Sequence, residues 1–196
     1  MKKKTQAFTL LEVMIVVAII GIMSAYGLPK LRGIVTAISL SNTTNDLVAS
    51  LHFTRSAAIR LQDKVVICSS DNANTTAPTC GTALTPWEAG WIIFHDKNTN
   101  TFFDGDDELF KVHHGAEDND VTITPVALGT TPTNIVNFVS FGPPAGEPAI
   151  ANGASQSGIF RVCVIDDTTV QRGVMVNYSG RISSTASPSI INSACL

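Results

Sequence analysis

Residues 8–29 read FTLLEVMIVVAIIGIMSAYGLP. The run is nearly all apolar, with one charge, Glu12, set close to its start and three lysines, Lys2, Lys3 and Lys4, just ahead of it. About 20 apolar residues in a helix reach across a bilayer's hydrocarbon core. A carboxylate inside such a segment costs roughly 2.5–3.5 kcal/mol even on lenient insertion scales, so Glu12 asks for a partner. Two ordinary readings leave it without one. A cleaved secretory signal has a basic start, an apolar core and a small-x-small site after that core. Here Glu12 interrupts the beginning of the core and no clear A-x-A follows. A plain single-span anchor is long enough, but gives Glu12 no task.

Around this stretch the chain has 196 residues, room for one domain plus an appendage. Hydrophobic residues make up 44%, enough for a core, and charged residues only 15%. Thr, Ser, Asn and Gly fill the remainder, a surface suited to conditions outside the cytosol. The formal net charge is -3; removing Lys2, Lys3 and Lys4 takes the 13 Lys and Arg down to 10 against 16 acidic residues, or -6. A domain of that sign repels phosphate backbones, which disfavours nucleic acid as a partner. Four cysteines, Cys68, Cys80, Cys163 and Cys195, show no C-x-x-C spacing, so zinc and thioredoxin-like sites fall away. An even count behind an N-terminal export signal favours disulfides in an oxidising compartment. Local pairing, Cys68 with Cys80 and Cys163 with Cys195, is preferred among three connectivities, with four buried thiols as the alternative.

Beyond residue 29 the helical pattern resumes. Ile34, Val35 and Ile38 share a face, and Leu47, Leu51 and Ala58 repeat at spacings of four and seven. One long helix is expected from about Thr9 to about Leu61, bent or loosened near Gly27, Pro29 and Gly33. From Lys64 the pattern changes to short β-type runs at 64–69, 90–96, 109–113, 121–125, 134–141, 158–165 and 169–177. Gly142-Pro143-Pro144 and Gly153 break the runs, and Asp166-Asp167 marks a hairpin turn. An amphipathic helix on antiparallel sheet is an α+β architecture.

The N-terminal residues KKKTQAFTLLEVMIVVAIIGIM closely resemble the type IV prepilin signal: a short basic leader, then Phe-Thr-Leu-Leu-Glu, then an apolar helix. Further along, Arg55-Ser56-Ala57-Ala58-Ile59-Arg60, Val65-Val66-Ile67-Cys68 and Trp87-Glu88-Ala89-Gly90-Trp91-Ile92-Ile93-Phe94-His95-Asp96 resemble minor pilins and pseudopilins of the GspH/FimT/FimU type. Residues 174–181, ending Asn177-Tyr178-Ser179-Gly180-Arg181, match that family's closing strand. The resemblance implies a pilin fold in four parts: a cleaved leader (1–7), a transmembrane and filament-core helix (8–30), an amphipathic helix (31–62) and a β-rich head (63–196). It implies a prepilin peptidase that cuts between Ala7 and Phe8 on the cytoplasmic side, and methylation of the new Phe8 amine. The family usually has Gly before the cut, so Ala7 points to slower processing. Glu12, one helical turn from that amine, would neutralise the amine of a neighbouring subunit and set the packing register. The implied partners are the peptidase, other minor and major pilins or pseudopilins, and the inner membrane. The implied location is a single-pass inner-membrane protein with a periplasmic head, later extracted into a filament. No catalytic activity and no cofactor are implied.

The remaining clusters are weighed against that role. His52, His95, His113 and His114 fall in no nucleophile–base pattern, and His113-His114 at a strand end point to opposite faces. Asp96, Asn98, Asn100 and Asp107 alternate like the ligands of a calcium loop, but its sixth position is Thr101 and its twelfth Asp107 in place of Gly and Glu. A solvated turn accounts for these residues better, with a weak calcium site as the alternative. Trp87 and Trp91 fit core anchors better than an exposed platform. Some members of the family bind DNA during natural transformation, through a basic segment continuing from Gly-Arg. Here Gly180-Arg181 runs into Ile182-Ser183-Ser184-Thr185 with no further Arg, which leaves Arg172 and Arg181, with Arg161 nearby, as weak candidates. An enzyme of hydrolase type is the second alternative. For the prepilin reading the expected intact mass lacks residues 1–7 and carries one added methyl group. Retention of Met1–Ala7 in cells with an active peptidase would refute it.

Overall fold

Fifty-two residues of helix come first. In the computed structural model the described residues are 9–115, 121–127, 135–148, 156–165 and 171–185, with the backbone alone at 26–32. Helix α1 spans Leu10–Leu61. It runs without interruption past Pro29, so the loosening expected there does not break the helix. Two compact units, Met1–Ile38 and Ser39–Leu196, divide the chain. In the first, Leu10, Leu11, Val13, Met14 and the apolar side chains up to Met23 are exposed, as are Ile34, Val35 and Ile38. Among the described residues no helix is long and apolar enough to cross a membrane. The anchor expected over 8–30 includes Phe8 and side chains 26–30, which lie outside them.

In the second unit one face of α1 is buried. Leu40, Thr44, Leu47, Leu51, Thr54 and Ala58 recur at three- and four-residue spacing, and all are buried. Two of these are polar, and each hydroxyl is satisfied within the helix. Thr44 Oγ1 donates to the Leu40 carbonyl at 2.6 Å and Thr54 Oγ1 to the Ser50 carbonyl at 2.8 Å. That back-bonding lets threonine occupy a core position without an orphaned polar atom.

Among the described residues nine strands follow: β1 Val65–Ser69, β2 Gly90–His95, β3 Glu108–His114, β4 Val121–Ala127, β5 Phe138–Gly142, β6 Glu147–Pro148, β7 Gly158–Val164, β8 Gln171–Val176 and β9 Ile182–Thr185. They form two antiparallel sheets, ordered β3-β2-β1-β5-β6 and β4-β7-β8-β9. The expected α+β architecture is therefore present, with two sheets. In the first sheet Val65 and Ile67 of β1 join Trp91 and Ile93 of β2 in a main core with Leu47, Leu51, Phe141, Phe160 and Val174. The alternate residues Val66, Cys68, Ile92 and Phe94 form a second cluster on the opposite face, under Cys80, Phe103, Val112 and Phe138. Burial on both faces explains why β1 and β2 are continuous apolar runs instead of alternating ones.

Seven strands fall where the sequence places them, with ends shifted by a residue or two. The exception is β5, which starts at Phe138 and not at 134. Two strands were not foreseen. β6 has two residues, formed because the chain turns back at Gly142-Pro143-Pro144; the Pro143–Pro144 peptide is cis, and the Gly146 N–H reaches the Gly142 carbonyl at 2.9 Å. β9 has one apolar residue, Ile182, too weak a signal to read alone, and forms by pairing with β8. The Asp166-Asp167 turn lies outside the described residues, although β7 and β8 pair antiparallel as a hairpin requires. Strand β4 tolerates Pro125 because it is an edge. Ile123, of the same parity, turns its N–H away from β7 to Glu88 Oε2 at 3.0 Å.

Both tryptophans are core anchors. Trp87 donates its indole N–H to the Val136 carbonyl (2.8 Å) and meets Phe160 edge-on. Trp91 donates to Ser50 Oγ (3.0 Å) and stacks on His113 with ring centres 3.8 Å apart. Cys68 and Cys80 form a disulfide with Cα atoms 5.6 Å apart, 12 residues apart in sequence. A loop of that size contributes about 3 kcal/mol on a chain-entropy account. Cys163 is also disulfide-bonded; Cys195, its expected partner, lies outside the described residues.

Two titrating groups couple this core to pH. Burial against Trp91 lowers the His113 pKa below its ordinary 6.5. The hydrogen bond from His95, 2.8 Å, is the largest cause lowering Asp63 below 3.8. Below pH 6.5 the unfolded imidazole takes a proton that folded His113 resists, so stability falls as pH falls toward the lower folded value. The Asp63 contribution is intact above 3.8 and is lost as pH falls through its lower folded pKa. Denaturant unfolding of the purified chain should therefore show a lower midpoint at pH 5.5 than at 7.5, and His113→Phe should flatten that difference. A second expectation concerns Gly180, whose φ is 75° and where a Cβ would sit 2.3 Å from the Gly146 carbonyl oxygen. Gly180→Ala should cost at least about 1–3 kcal/mol from backbone strain, read as a lower melting midpoint.

Candidate assembly segment and head surface

The first turn of α1 is built by Thr9 and Glu12. Thr9 Oγ1 accepts the Glu12 backbone N–H at 3.3 Å, and the Thr9 carbonyl accepts the Glu12 and Val13 N–H groups at 3.1 and 3.3 Å. Thr9 is thus the N-cap and Glu12 the third helical residue, the T-x-x-E spacing of a capping box. The spacing that signals this role of Thr9 is present in the sequence. Glu12 stands at the positive end of the helix dipole. It joins no ion pair among the described residues. Around it stand apolar side chains as open to solvent as Leu10, 79% exposed. A surface of that kind calls for lipid or neighbouring chains to cover it. Ala7 and Phe8 lie outside the described residues.

The acidic turn between β2 and β3 is closed on itself. The Asp96 carboxylate is buried and accepts the N–H groups of Asn100 (3.0 Å) and Thr101 (2.9 Å). Burial pushes its pKa up, and those amides together with Lys64 at 3.9 Å hold it back. Asp107 accepts the N–H groups of Lys97 and Asp104. Asn98 Oδ1 accepts from Asn100, and Asn100 Oδ1 from Phe102. Both amide NH₂ groups donate to Asp104 Oδ2, at 2.9 and 2.7 Å. The calcium candidates Asp96, Asn98, Asn100 and Asp107 thus turn their oxygens to backbone N–H groups, which accounts for them as turn-forming residues. Among the described residues no group of three His, Cys, Asp or Glu is placed to hold a metal ion. Asp104 is lowered by the Asp106 N–H first, then by the two asparagines.

The histidines are dispersed. His113 lies on Trp91, His114 Nδ1 meets Asn74 Oδ1 at 2.9 Å, and His95 pairs with Asp63. The arginine group divides as well. Arg161 is buried opposite Gly173, Arg172 is half-buried on β8 opposite Val162, and Arg181 is exposed just before β9. Arg161 is thereby withdrawn from the surface patch that the sequence suggested.

One arginine outside the sequence-based candidates makes three carbonyl contacts. Arg55 Nε donates to the Gly146 carbonyl at 3.2 Å, and Nη2 to the carbonyls of Ala145 and Ser179, each at 3.4 Å. It therefore ties α1 to the β5–β6 turn and to the β8–β9 turn. Nothing in the local sequence announces these carbonyl partners, which lie 90 to 124 residues away.

Two family models match. The family described as type II transport protein GspH matches residues 43–180, and the prokaryotic N-terminal methylation motif matches residues 2–27. No curated protein matches the chain. Two crystal structures of the type IV minor pilin FimU from Pseudomonas aeruginosa (strain PAO1) share its fold. The one in space group P65 has a TM-score of 0.51 at 15% identity, covering 79% of this chain and 96% of FimU. The one in space group P21 has 0.53 at 16%, covering 80% and 92%. With the GspH model spanning most of its length behind a methylation motif, the chain belongs to the GspH family of pilin-like proteins.

Proposed function

We propose that this protein is a structural minor subunit of a type IV pilus or of a type II secretion pseudopilus, with no chemistry of its own. The observation that carries this reading is the N-terminal helix, an exposed apolar surface with a single capping-turn carboxylate, in a chain that carries the methylation motif. The peptidase cuts between Ala7 and Phe8, Phe8 is methylated, and the helix holds the chain in the inner membrane with its head in the periplasm. Extraction into the filament exchanges lipid for the apolar helices of neighbours, a transfer that leaves the burial of Leu10 to Met23 nearly unchanged. Glu12 is the one side chain for which the two environments differ: beside a neighbour's terminal amine it gains a counter-charge that lipid lacks. Register follows from that pairing. The head supplies partner specificity. Contact with DNA through Arg172 and Arg181 has less support, since a half-buried arginine and an exposed one make a poor phosphate-binding surface on an acidic chain.

In-cell cross-linking from the head, followed by mass spectrometry, tests this role and discriminates between its two settings. Capture of pilus minor subunits with a tip adhesin places the protein in a pilus. Capture of pseudopilins or a secretin places it in a secretion system. Absence of any pilin-like protein from the captured set would overturn the reading.

A further inference from the structure

We propose that Asn74 is the attachment point of a covalent glycan, transferred to its side-chain nitrogen once the head stands in the periplasm. The inference rests on the head location proposed above and on the pattern Asn-x-Ser/Thr. In that pattern the asparagine is the glycan acceptor, and the hydroxyl two residues on completes the recognition unit. The sequence carries it three times, as Asn42-Thr43-Thr44, Asn74-Thr75-Thr76 and Asn177-Tyr178-Ser179. Such a triplet arises easily in a chain rich in Asn, Ser and Thr, and the fold discriminates among the three.

Two of them are folded against the reaction. Asn42 lies within α1, and Thr44 is buried with its hydroxyl given to the Leu40 carbonyl at 2.6 Å. Asn177 is half-buried at the start of the β8–β9 turn. Its N–H reaches the Arg181 carbonyl at 3.0 Å, and its own carbonyl accepts the Gly180 N–H at 2.8 Å. Arg55 holds that turn through the Ser179 carbonyl, and Gly180 has no room for a Cβ beside Gly146. A transferase would have to undo the helix or the turn to reach either asparagine.

The third is presented. Asn74, Thr75 and Thr76 are all exposed, and none belongs to a helix or strand. Asn74 Oδ1 accepts from His114 Nδ1 on edge strand β3 at 2.9 Å, while its Nδ2 makes no hydrogen bond among the described residues. The other hydroxyls of the β1–β2 loop are engaged. Ser70 and Thr79 donate to Asn72 Oδ1, and Thr75 donates to the Asn72 carbonyl. Thr82 accepts the Leu84 N–H, and Thr85 the Thr82 N–H. Thr76 alone in this loop has a hydroxyl without a partner among the described residues. The amide nitrogen and the hydroxyl that the pattern requires are thus the two groups left over when the loop has satisfied itself. Beneath them the loop is anchored. Ala73 is buried so close to Gly90 that a Cβ there would fall 2.8 Å from its own, and the Cys68–Cys80 disulfide closes the loop behind. A sugar on Asn74 therefore extends into solvent and displaces neither core cluster.

The donor is an oligosaccharide carried on a lipid pyrophosphate. Asn74 Nδ2 bonds to C1 of the first sugar as the C1–O bond to the pyrophosphate breaks. The lipid pyrophosphate leaves with the electron pair, and one Nδ2 proton passes to a base of the transferase.

The test takes the full chain from the membranes of the organism that makes it and reads the tryptic peptide 65–97 by tandem mass spectrometry. The peptide should carry a sugar mass localised on Asn74. That mass should be lost in Asn74→Gln and in Thr76→Val and kept in Thr76→Ser, with melting midpoints unchanged because both side chains are exposed. An unmodified wild-type peptide, a sugar on a threonine oxygen that survives Asn74→Gln, or a sugar on Asn74 indifferent to Thr76→Val would each overturn the proposal. If the chain loses Met1–Ala7 and captures pilin-like partners while peptide 65–97 is bare, the subunit reading stands and the glycan alone is rejected.

Discussion

Burial of one face of α1 against the strands is the constraint on which the head depends. A helix of this composition has little to hold it in water once its polar stretch, Ser41-Asn42-Thr43-Thr44-Asn45-Asp46, is reached. The residues of that stretch favour caps and turns, since their side chains compete for backbone hydrogen bonds. Leu40, Leu47 and Leu51 keep it helical by burying apolar surface, each at roughly 1.5–3 kcal/mol. The Trp91 indole completes the arrangement. It fills the core from β2 and gives its N–H to Ser50, so the contact is apolar in area and polar in direction. A residue that only filled space would leave the helix free to slide by a turn.

The same economy governs the polar groups. Buried hydroxyls of Thr44 and Thr54 bond within the helix, and Gln156 Oε1 receives the Ser140 N–H at 2.9 Å. Trp87 finds the Val136 carbonyl, and Glu88 covers an N–H on the open edge of the second sheet. Each case gives a buried or half-buried donor or acceptor a hydrogen-bond partner, which is the condition for withdrawing it from water without penalty.

Much of this was legible in the residues. The stripe Leu47, Leu51, Ala58 announced a half-buried helix, and seven β-type runs announced seven strands, because both signals are local and apolar. The T-x-x-E spacing at Thr9 and Glu12 is an equally local signal. What stayed hidden depends on distant sequence. β9 exists through pairing with β8, and Arg55 acquires its three carbonyl partners only when two remote turns converge on it. The acidic loop is ambiguous in sequence for a related reason. Alternating Asp and Asn serve a cation or their own backbone amides equally well, and only the folded turn shows which way the oxygens point.

Arg55 has a mechanical consequence. Any load applied along α1 must pass into the sheets without peeling the helix away from them. The guanidinium bridges α1 to the turns at one end of both sheets, so tension entering through the helix is shared between the two sheets at once. Its three hydrogen bonds act as one joint spread over two hairpins, and shearing it requires them to fail nearly together. A single arginine thereby stiffens the connection between α1 and the two sheets.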